Sequence, residues 1–307
     1  MLSDLFKARL TTLVILTTAM GFHLAQRGSV DWALFFHAVM GTALLAAGAA
    51  ALNEYIERDL DARMPRTARR PLPSGEMRPD TALLLGVAVS LLGMLQLAVW
   101  VNPLTAFLGV VTLASYIFVY TPLKRITTLN TLVGAIPGAV PPLMGWTAAT
   151  NSLDAGGWIL FAILFFWQLP HFMAIAWLYR EDYAKGGFKM LPVLDTSGAR
   201  TAATAVRHTL ALIFFSLMPF TFGLAGRWYL AAAILMGAGF LYCGIRFVLE
   251  RSPGNARRLF FASILYLPLL LGVLVGDKRK SGGLSDPVAQ VGRLNTLATN
   301  TLATISH

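Results

Sequence analysis

Three oxygen-bearing side chains recur every four residues near the end of a long apolar stretch. If the helix continues this far, Asn53, Glu57 and Asp61 share one face, because two steps of four residues drift only about 80° around the axis. Pro65 disfavours helix at Met64, which places the three groups in the last turns. Oxygen ligands of this kind bind hard divalent metals. The spacing therefore predicts a metal site at a helix end.

A cluster of arginines follows these groups directly. It comprises Arg63, Arg66, Arg69 and Arg70. Carboxylates at the negative end of a helix dipole are unfavourable unless cations compensate them, and guanidinium groups bind phosphate through two parallel hydrogen bonds. Together the acids and the arginines indicate a diphosphate site at a membrane surface. An ordinary basic loop with a few neutralising acids is the alternative that this segment alone leaves open.

The composition is that of an all-α membrane protein with several spans. Of the 307 residues, 56% are hydrophobic and only 13% are charged, whereas charged residues make up about 25% of soluble domains. Apolar runs long enough to cross a bilayer recur along the chain. We predict about nine transmembrane helices, at 10–26, 34–56, 81–101, 104–121, 128–148, 157–178, 208–226, 228–249 and 259–276.

The positive charges are distributed unevenly between the two sides of these spans. Most of the 25 Lys and Arg residues fall in alternate connecting segments, including two long loops at about 58–80 and 179–207. The positive-inside rule places these loops and the N-terminus in the cytoplasm. The net charge of +10 is therefore explained by membrane topology, and we expect no nucleic-acid partner.

The segment 277–307 differs in character from the rest of the chain. It is polar and rich in Thr, Ala, Leu and Asn, so we expect a disordered tail behind one transmembrane domain at 1–276. Lys278 and Lys280 would lie on the outer side of a nine-span protein. Either that end tolerates the charge, or one span is miscounted.

Two further segments have unusual compositions. The segment 134–146 carries three prolines and three glycines inside a predicted span. These residues indicate either a helix distorted around a substrate cavity or close helix packing through small side chains. The segment 170–192 brings Arg180, Glu181, Asp182, Tyr183 and Lys185 to the inner end of the sixth span, which predicts a second group of acids and bases beside the first.

These segments resemble the intramembrane aromatic prenyltransferases of the UbiA type, and within them the protohaem IX farnesyltransferase family. The acid spacing is similar to that family's Asn-x-x-x-Asp-x-x-x-Asp signature, with Glu57 in place of the middle Asp. The resemblance extends over about residues 5–276. The matching segments, in the family's order, are 53–75, 120–130, 134–146 and 170–192.

The resemblance implies that the farnesyl group of farnesyl diphosphate is transferred to a vinyl group of haem B, with addition of water, to give haem O. It also implies a helix bundle around a lateral cavity in the bacterial cytoplasmic membrane, and a haem A synthase as a partner.

The resemblance also implies roles for individual residues. Asn53, Glu57 and Asp61 would bind Mg²⁺, with Asp182 or Glu181 as a further ligand, although the second loop lacks the paired aspartates of many relatives. The residues that would bind the diphosphate are Arg66, Arg70, Lys124, Arg180 and Lys185.

Two histidines are candidates for the haem half of the site. His171 lies inside a span, where ionisable residues are usually functional, and would ligate or orient haem iron or transfer a proton. His208, near the inner start of a span, would serve haem or its propionates. For each, a packed, hydrogen-bonded histidine is the alternative.

Two other functions compete with this interpretation. A prenyltransferase with a phenolic acceptor would use the same metal and diphosphate residues. A transporter would use the charged loops only to set its topology, and no prenylated product would form.

Overall fold

The computed structural model describes residues 1–279, and within this range it consists of helices joined by short loops. Residues 280–307, which hold most of the predicted tail, lie outside the described residues. The helices are α1 (Leu2–Leu5), α2 (Ala8–Ala25), α3 (Trp32–Asp61), α4 (Pro79–Trp100), α5 (Pro103–Ala114), α6 (Thr121–Leu123), α7 (Asn130–Thr150), α8 (Ala155–Leu178), α9 (Arg180–Lys185), α10 (Leu191–Leu194), α11 (Ala199–Thr221), α12 (Arg227–Leu249) and α13 (Pro253–Gly276). A π-helical turn at Ser115–Tyr120 joins α5 to α6.

Eight helical stretches in the described chain are long and apolar enough to cross a membrane, and the shorter apolar helix Leu10–Ala25 adds a ninth. The predicted all-α polytopic fold is therefore confirmed. The largest difference concerns the seventh span, for which α11 begins at Ala199 rather than near 208. Its first turns carry Arg200 and Arg207. These charged residues lower the local hydropathy, so the hydropathy pattern places the start of the helix too late.

The helices α7 and α8 form the centre of the bundle. In the most apolar 18-residue stretch of each helix, 67% of the residues of α7 and 61% of those of α8 are buried. The corresponding share is 28–39% in the other six long spans. A Cβ atom on Gly145 of α7 would overlap the carbonyl oxygen of Thr18 in α2, and one on Gly21 would overlap that of Pro142. The backbones of α2 and α7 therefore touch, which explains the small residues there.

The two long charged loops lie at the same end of the bundle and pack against each other. Met64, in the loop after α3, belongs to one buried cluster with Phe188 and Met190 from the loop after α9. The N–H of Lys189 also donates to the carbonyl of Lys124, at 2.7 Å. Three separate segments of the chain thus converge at one end of the bundle.

Lys278 lies at the opposite end, where the positive charge seemed anomalous in the sequence. Its Nζ donates to the carbonyl oxygens of His23 and Gln26, at the C-terminal end of α2. A cation is favourable there because the carbonyls of the last helical turn are unsatisfied and carry partial negative charge. The nine-span arrangement therefore accommodates this residue.

Candidate active site

The three predicted oxygen ligands line one buried face of α3, in its last turns. Asn53, Glu57 and Asp61 are only 1%, 4% and 1% exposed. All three line the same central cavity. The helix ends at Asp61, four residues before Pro65, as the sequence predicts. Their shared face follows from the spacing of four residues.

Each of these three side chains is bonded to a cation from a different part of the chain. Lys7 Nζ donates to Asn53 Oδ1 at 2.6 Å, and Lys124 Nζ lies 2.7 Å from Glu57 Oε1. Arg70 Nη1 lies 2.6 Å from Asp61 Oδ2. The buried acids are thus compensated by paired cations, as burial of charge requires.

The loop after α3 is held in place by hydrogen bonds to the helix that it follows. Thr67 Oγ1 donates to the carbonyl of Asp61 at 2.8 Å, which brings the next turn of the loop back over the helix end. Glu54, fully buried, accepts the N–H of Leu72 at 3.2 Å. These two bonds fix the position from which Arg70 reaches Asp61.

The π-helical turn shapes the wall beside Lys124. Pro122 has no N–H with which to continue an α-helical ladder, and the wider π turn precedes it. Tyr116 and Tyr120, both in this turn, line the cavity together with Lys124. Lys124 Nζ lies 4.6 Å from the centre of the Tyr120 ring, a cation–π contact.

The electrostatic environments of Lys7 and Lys124 differ. Burial, together with the nearby charges of Arg70 and Lys124, lowers the pKa of Lys7 to about 8. Burial also disfavours the charge of Lys124, but the charge and hydrogen bonds of Glu57 outweigh it and raise the pKa of Lys124 above its usual value. The site is therefore rich in positive charge, part of which has no carboxylate partner of its own.

The charged groups lie at one end of a cavity of about 450 Å³. The rest of its wall is mainly apolar and comes from α2, α3, α5, α7 and α8. Leu10 of α2 lines the cavity and is 49% exposed. Pro137, Gly138 and Pro141 of α7 also line it, so the proline- and glycine-rich segment both shapes the cavity and packs against α2.

His171 lies on the same cavity wall as Trp167 and Gln168. Its Nδ1 is 2.7 Å from Ser263 Oγ on α13, and its ring stacks between Trp167 and Phe260. The cavity thus joins a polar, charged end to an apolar interior that carries one histidine.

The chain matches the model of the UbiA prenyltransferase family over residues 14–265. A protohaem IX farnesyltransferase of Solibacter usitatus is 46% identical over 284 residues, which cover 90% of this chain and 97% of that protein. The chain belongs to the protohaem IX farnesyltransferases of the UbiA family.

One further relative supports the family, and one solved structure supports the fold. A protohaem IX farnesyltransferase of Opitutus terrae is 45% identical over 276 residues, which cover 90% of this chain and 93% of that protein. The structure of a UbiA homologue from Archaeoglobus fulgidus bound to GPP and Mg²⁺ superimposes with a TM-score of 0.63. It covers 89% of this chain and 98% of that one at 15% identity, and so shares the fold.

In this family member, the structure brings together most residues of the first predicted cluster. Arg66 lines the cavity and lies over the rings of Tyr179 and Tyr183, with 5.5 and 5.6 Å to their centres. Through Arg66 and Tyr183, the second charged loop contacts the first. The predicted residues that line the central cavity are Asn53, Glu57, Asp61, Arg66, Arg70, Lys124 and His171.

Other predicted residues lie elsewhere. Arg180, Glu181 and Asp182 line a separate cavity of about 350 Å³ near the start of α13, and Arg180 packs over the Trp177 ring. Lys185 is exposed at the end of α9. His208 Nδ1 donates to the Thr204 carbonyl, and the ring stacks on Phe166, away from the central cavity. Their roles in diphosphate, metal or haem binding stay predictions.

The sequence did not indicate that Lys7 and Tyr116 belong to this site. Lys7 is separated from Asn53 by 46 positions. Its backbone has a left-handed conformation, with φ of 45°, and no sequence motif predicts this conformation. The signal that was available is its position: it is a lone lysine directly before an apolar span.

The three oxygen-bearing side chains on this face of α3 have the chemistry that a hard divalent cation prefers. Asn53, Glu57 and Asp61 offer an amide oxygen and two carboxylates on one buried face, and hard cations such as Mg²⁺ prefer oxygen ligands. Among residues 1–279 no three His, Cys, Asp or Glu side chains group closely enough to hold a metal by themselves. The amide oxygen of Asn53 is the third oxygen donor on this face.

Proposed function

We propose that this protein transfers the farnesyl group of farnesyl diphosphate to a vinyl group of haem B, with addition of water, to give haem O and diphosphate. The observation that carries this proposal is the 46% identity to a protohaem IX farnesyltransferase along nearly the whole of that protein. The geometry supports it, because a cluster of cations and oxygen ligands closes one end of an apolar cavity.

The cations would bind the diphosphate end of the donor. Lys7, Arg66, Arg70 and Lys124 all line the charged end of the cavity and can donate charge-assisted hydrogen bonds to phosphate oxygens. Their charge stabilises the negative charge that develops on the leaving diphosphate. The prediction that Arg180 and Lys185 also bind the diphosphate would require the α9 segment to move.

We propose that Asn53, Glu57 and Asp61 hold Mg²⁺, as the family signature implies. When bound, Mg²⁺ would neutralise diphosphate charge and so favour its departure. A UbiA homologue from Archaeoglobus fulgidus is described as bound to GPP and Mg²⁺, which supports the assignment. Removal of divalent ions with EDTA should abolish turnover, and added Mg²⁺ should restore it. Full activity in EDTA would exclude the assignment.

The apolar part of the cavity would hold the fifteen-carbon farnesyl chain. Leu45, Gly109 and Met144 line its interior, and Tyr116, Tyr120 and Trp167 line the region nearer the charged end. Aromatic faces stabilise a nearby cation, and an apolar wall keeps water from the allylic carbon before it reacts.

We propose that the protein lies in the bacterial cytoplasmic membrane with its N-terminus and the active-site loops in the cytoplasm. The excess of Lys and Arg in the segments at the charged end supports this orientation. We further propose that residues 1–276 form the whole catalytic domain and that haem O passes to a haem A synthase. Deletion of 281–307 should leave turnover unchanged, and reduced turnover would contradict the domain boundary.

An acceptor comparison tests the proposed function. Purified protein in lipid nanodiscs receives farnesyl diphosphate and Mg²⁺ with either haem B or 4-hydroxybenzoate, and products are identified by mass. Farnesylated, hydrated haem is the expected product. Product from the phenol alone would assign the protein to the phenolic branch, and no prenylated product with either acceptor would favour a transporter.

A further inference from the structure

The ring of His171 is held on three sides. It stacks on Trp167 and on Phe260, with ring centres 5.2 and 5.0 Å away. Its Nδ1 lies 2.7 Å from Ser263 Oγ. Trp167 Nε1 donates to the carbonyl of Ser263 at 2.7 Å, which fixes this turn of α13 against α8. The imidazole therefore has one orientation.

The hydrogen bonds around Ser263 also decide which imidazole nitrogen carries the proton. A serine hydroxyl has one proton to donate, and Ser263 donates it to the carbonyl of Phe260 at 2.5 Å. The contact with His171 must then have Nδ1–H as the donor and Ser263 Oγ as the acceptor. In the neutral ring this leaves Nε2 as the nitrogen with a free lone pair.

Nε2 of His171 is accessible rather than sealed in the core. Within residues 1–279 it has no hydrogen-bond partner. An atom without a partner that was also buried would belong to a group of four in this range, and Nε2 does not. The four atoms are Thr18 Oγ1, Glu54 Oε2, Trp177 Nε1 and Arg246 Nε. His171 lines the central cavity. A free basic nitrogen is thus available to a molecule in that cavity.

We propose that His171 Nε2 accepts the proton of the water that completes the reaction, and that Ser263 is the positioning residue that fixes the required tautomer. This inference rests on the proposed function. The carbon–oxygen bond of farnesyl diphosphate breaks, and the terminal vinyl carbon of haem forms a bond to the farnesyl carbon. The vinyl carbon next to the macrocycle becomes cationic, the water oxygen bonds to it, and one water proton moves to Nε2.

The proposal predicts the nature of the product as well as its rate of formation. A cationic intermediate that no positioned water traps can instead lose a proton from the adjacent carbon. This gives a farnesylated haem that lacks the hydroxyl group and is lighter by one water. The ratio of hydrated to unhydrated farnesyl haem therefore reports on His171 and Ser263, whereas a purely structural defect would lower both products together.

The experiment compares His171→Phe, Ser263→Ala and Ser263→Thr with the unmodified protein, using haem B, farnesyl diphosphate and Mg²⁺ in water enriched in ¹⁸O. His171→Phe keeps an aromatic ring between Trp167 and Phe260. We expect it to lower the ratio of hydrated to unhydrated product about a hundredfold. Ser263→Ala should lower the ratio by a smaller factor, and Ser263→Thr, which keeps the hydroxyl, should restore it.

An unchanged ratio in His171→Phe would overturn the proposal, as would an unchanged ratio in Ser263→Ala. Ser263→Ala removes one hydroxyl and gives the same readout if His171→Phe does not fold. If His171→Phe instead removes an imidazole-ligation signature from the absorption spectrum of bound haem B, Nε2 binds iron and the proposal is wrong. Absence of farnesylated haem from the unmodified protein would refute the proposed function itself.

Discussion

Glu57 and Lys124, 67 positions apart in the sequence, form a buried ion pair. Lys124 Nζ lies 2.7 Å from Oε1 and 2.9 Å from Oε2 of Glu57, and the lysine and glutamate side chains are 14% and 5% exposed. The pair connects the last turns of α3 to the segment after α6. It therefore has a structural role as well as the proposed chemical one.

A double-mutant cycle distinguishes the structural role of the Glu57–Lys124 pair from its proposed chemical role. Glu57→Gln or Lys124→Met alone leaves an unpaired buried charge and should cost about 3 kcal/mol of folding stability. The double variant removes both charges, and we expect it to regain most of the stability while staying inactive. Thermal unfolding and haem O formation would be measured for all four proteins. Recovery of activity in the double variant would contradict a chemical role for the pair.

Arg70 should contribute to turnover through its interaction with the diphosphate. Loss of one charge-assisted hydrogen bond costs about 2 kcal/mol, or about thirtyfold in kcat/KM for farnesyl diphosphate. Arg70→Ala is therefore expected to show this loss. Arg78→Ala, in the same basic loop but with an exposed side chain, is the matched control and should behave like the unmodified protein. Equal effects of the two variants would mean that only the charge of the loop matters.

Lys7 should bind the donor although it lies outside every recognised segment. Lys7→Met removes one cation from the charged end of the cavity, and we expect KM for farnesyl diphosphate to rise about tenfold. Lys189→Met removes an exposed lysine at the same end of the bundle and should leave KM unchanged. Steady-state kinetics with varied donor concentration would decide. A normal KM in Lys7→Met would show that the residue only holds Asn53.

The depth of the cavity should set the length of the prenyl donor. Leu45 lies eight residues before Asn53, about 12 Å deeper along α3, and it lines the cavity. Leu45→Trp should shorten the space and favour geranyl over farnesyl diphosphate. Leu92→Trp, on the exposed face of α4, is the control. The ratio of the two donors' kcat/KM values is measured for each variant, and an unchanged ratio in Leu45→Trp would place the end of the farnesyl chain elsewhere.

The sequence allowed the spans and the oxygen face of α3 to be predicted, because both depend on local periodicity. The helical repeat places Asn53, Glu57 and Asp61 together without knowledge of any other segment. The partners of these side chains could not be predicted in the same way. Lys7 and Lys124 reach α3 only through the packing of α2 and α6, and this packing is a long-range property.

The second charged loop shows the same limit. Arg180, Glu181 and Asp182 follow the end of α8 in the sequence much as the arginines follow α3, so the pattern predicts a common site. In the structure the short helix α9 directs Tyr183 toward Arg66, while Arg180 packs on Trp177. The direction of a side chain after a helix end depends on the turn, and hydropathy contains no information about it.

The most direct test of the central claim is the mass of haem extracted from cells that express the protein together with a supply of farnesyl diphosphate. The unmodified protein should yield haem O. Asp61→Asn, which keeps the size of the side chain but removes its charge, should insert into the membrane at a normal level and yield haem O lower by orders of magnitude. Near-normal haem O from Asp61→Asn, or none from the unmodified protein, would contradict the assignment of this site to haem farnesyl transfer.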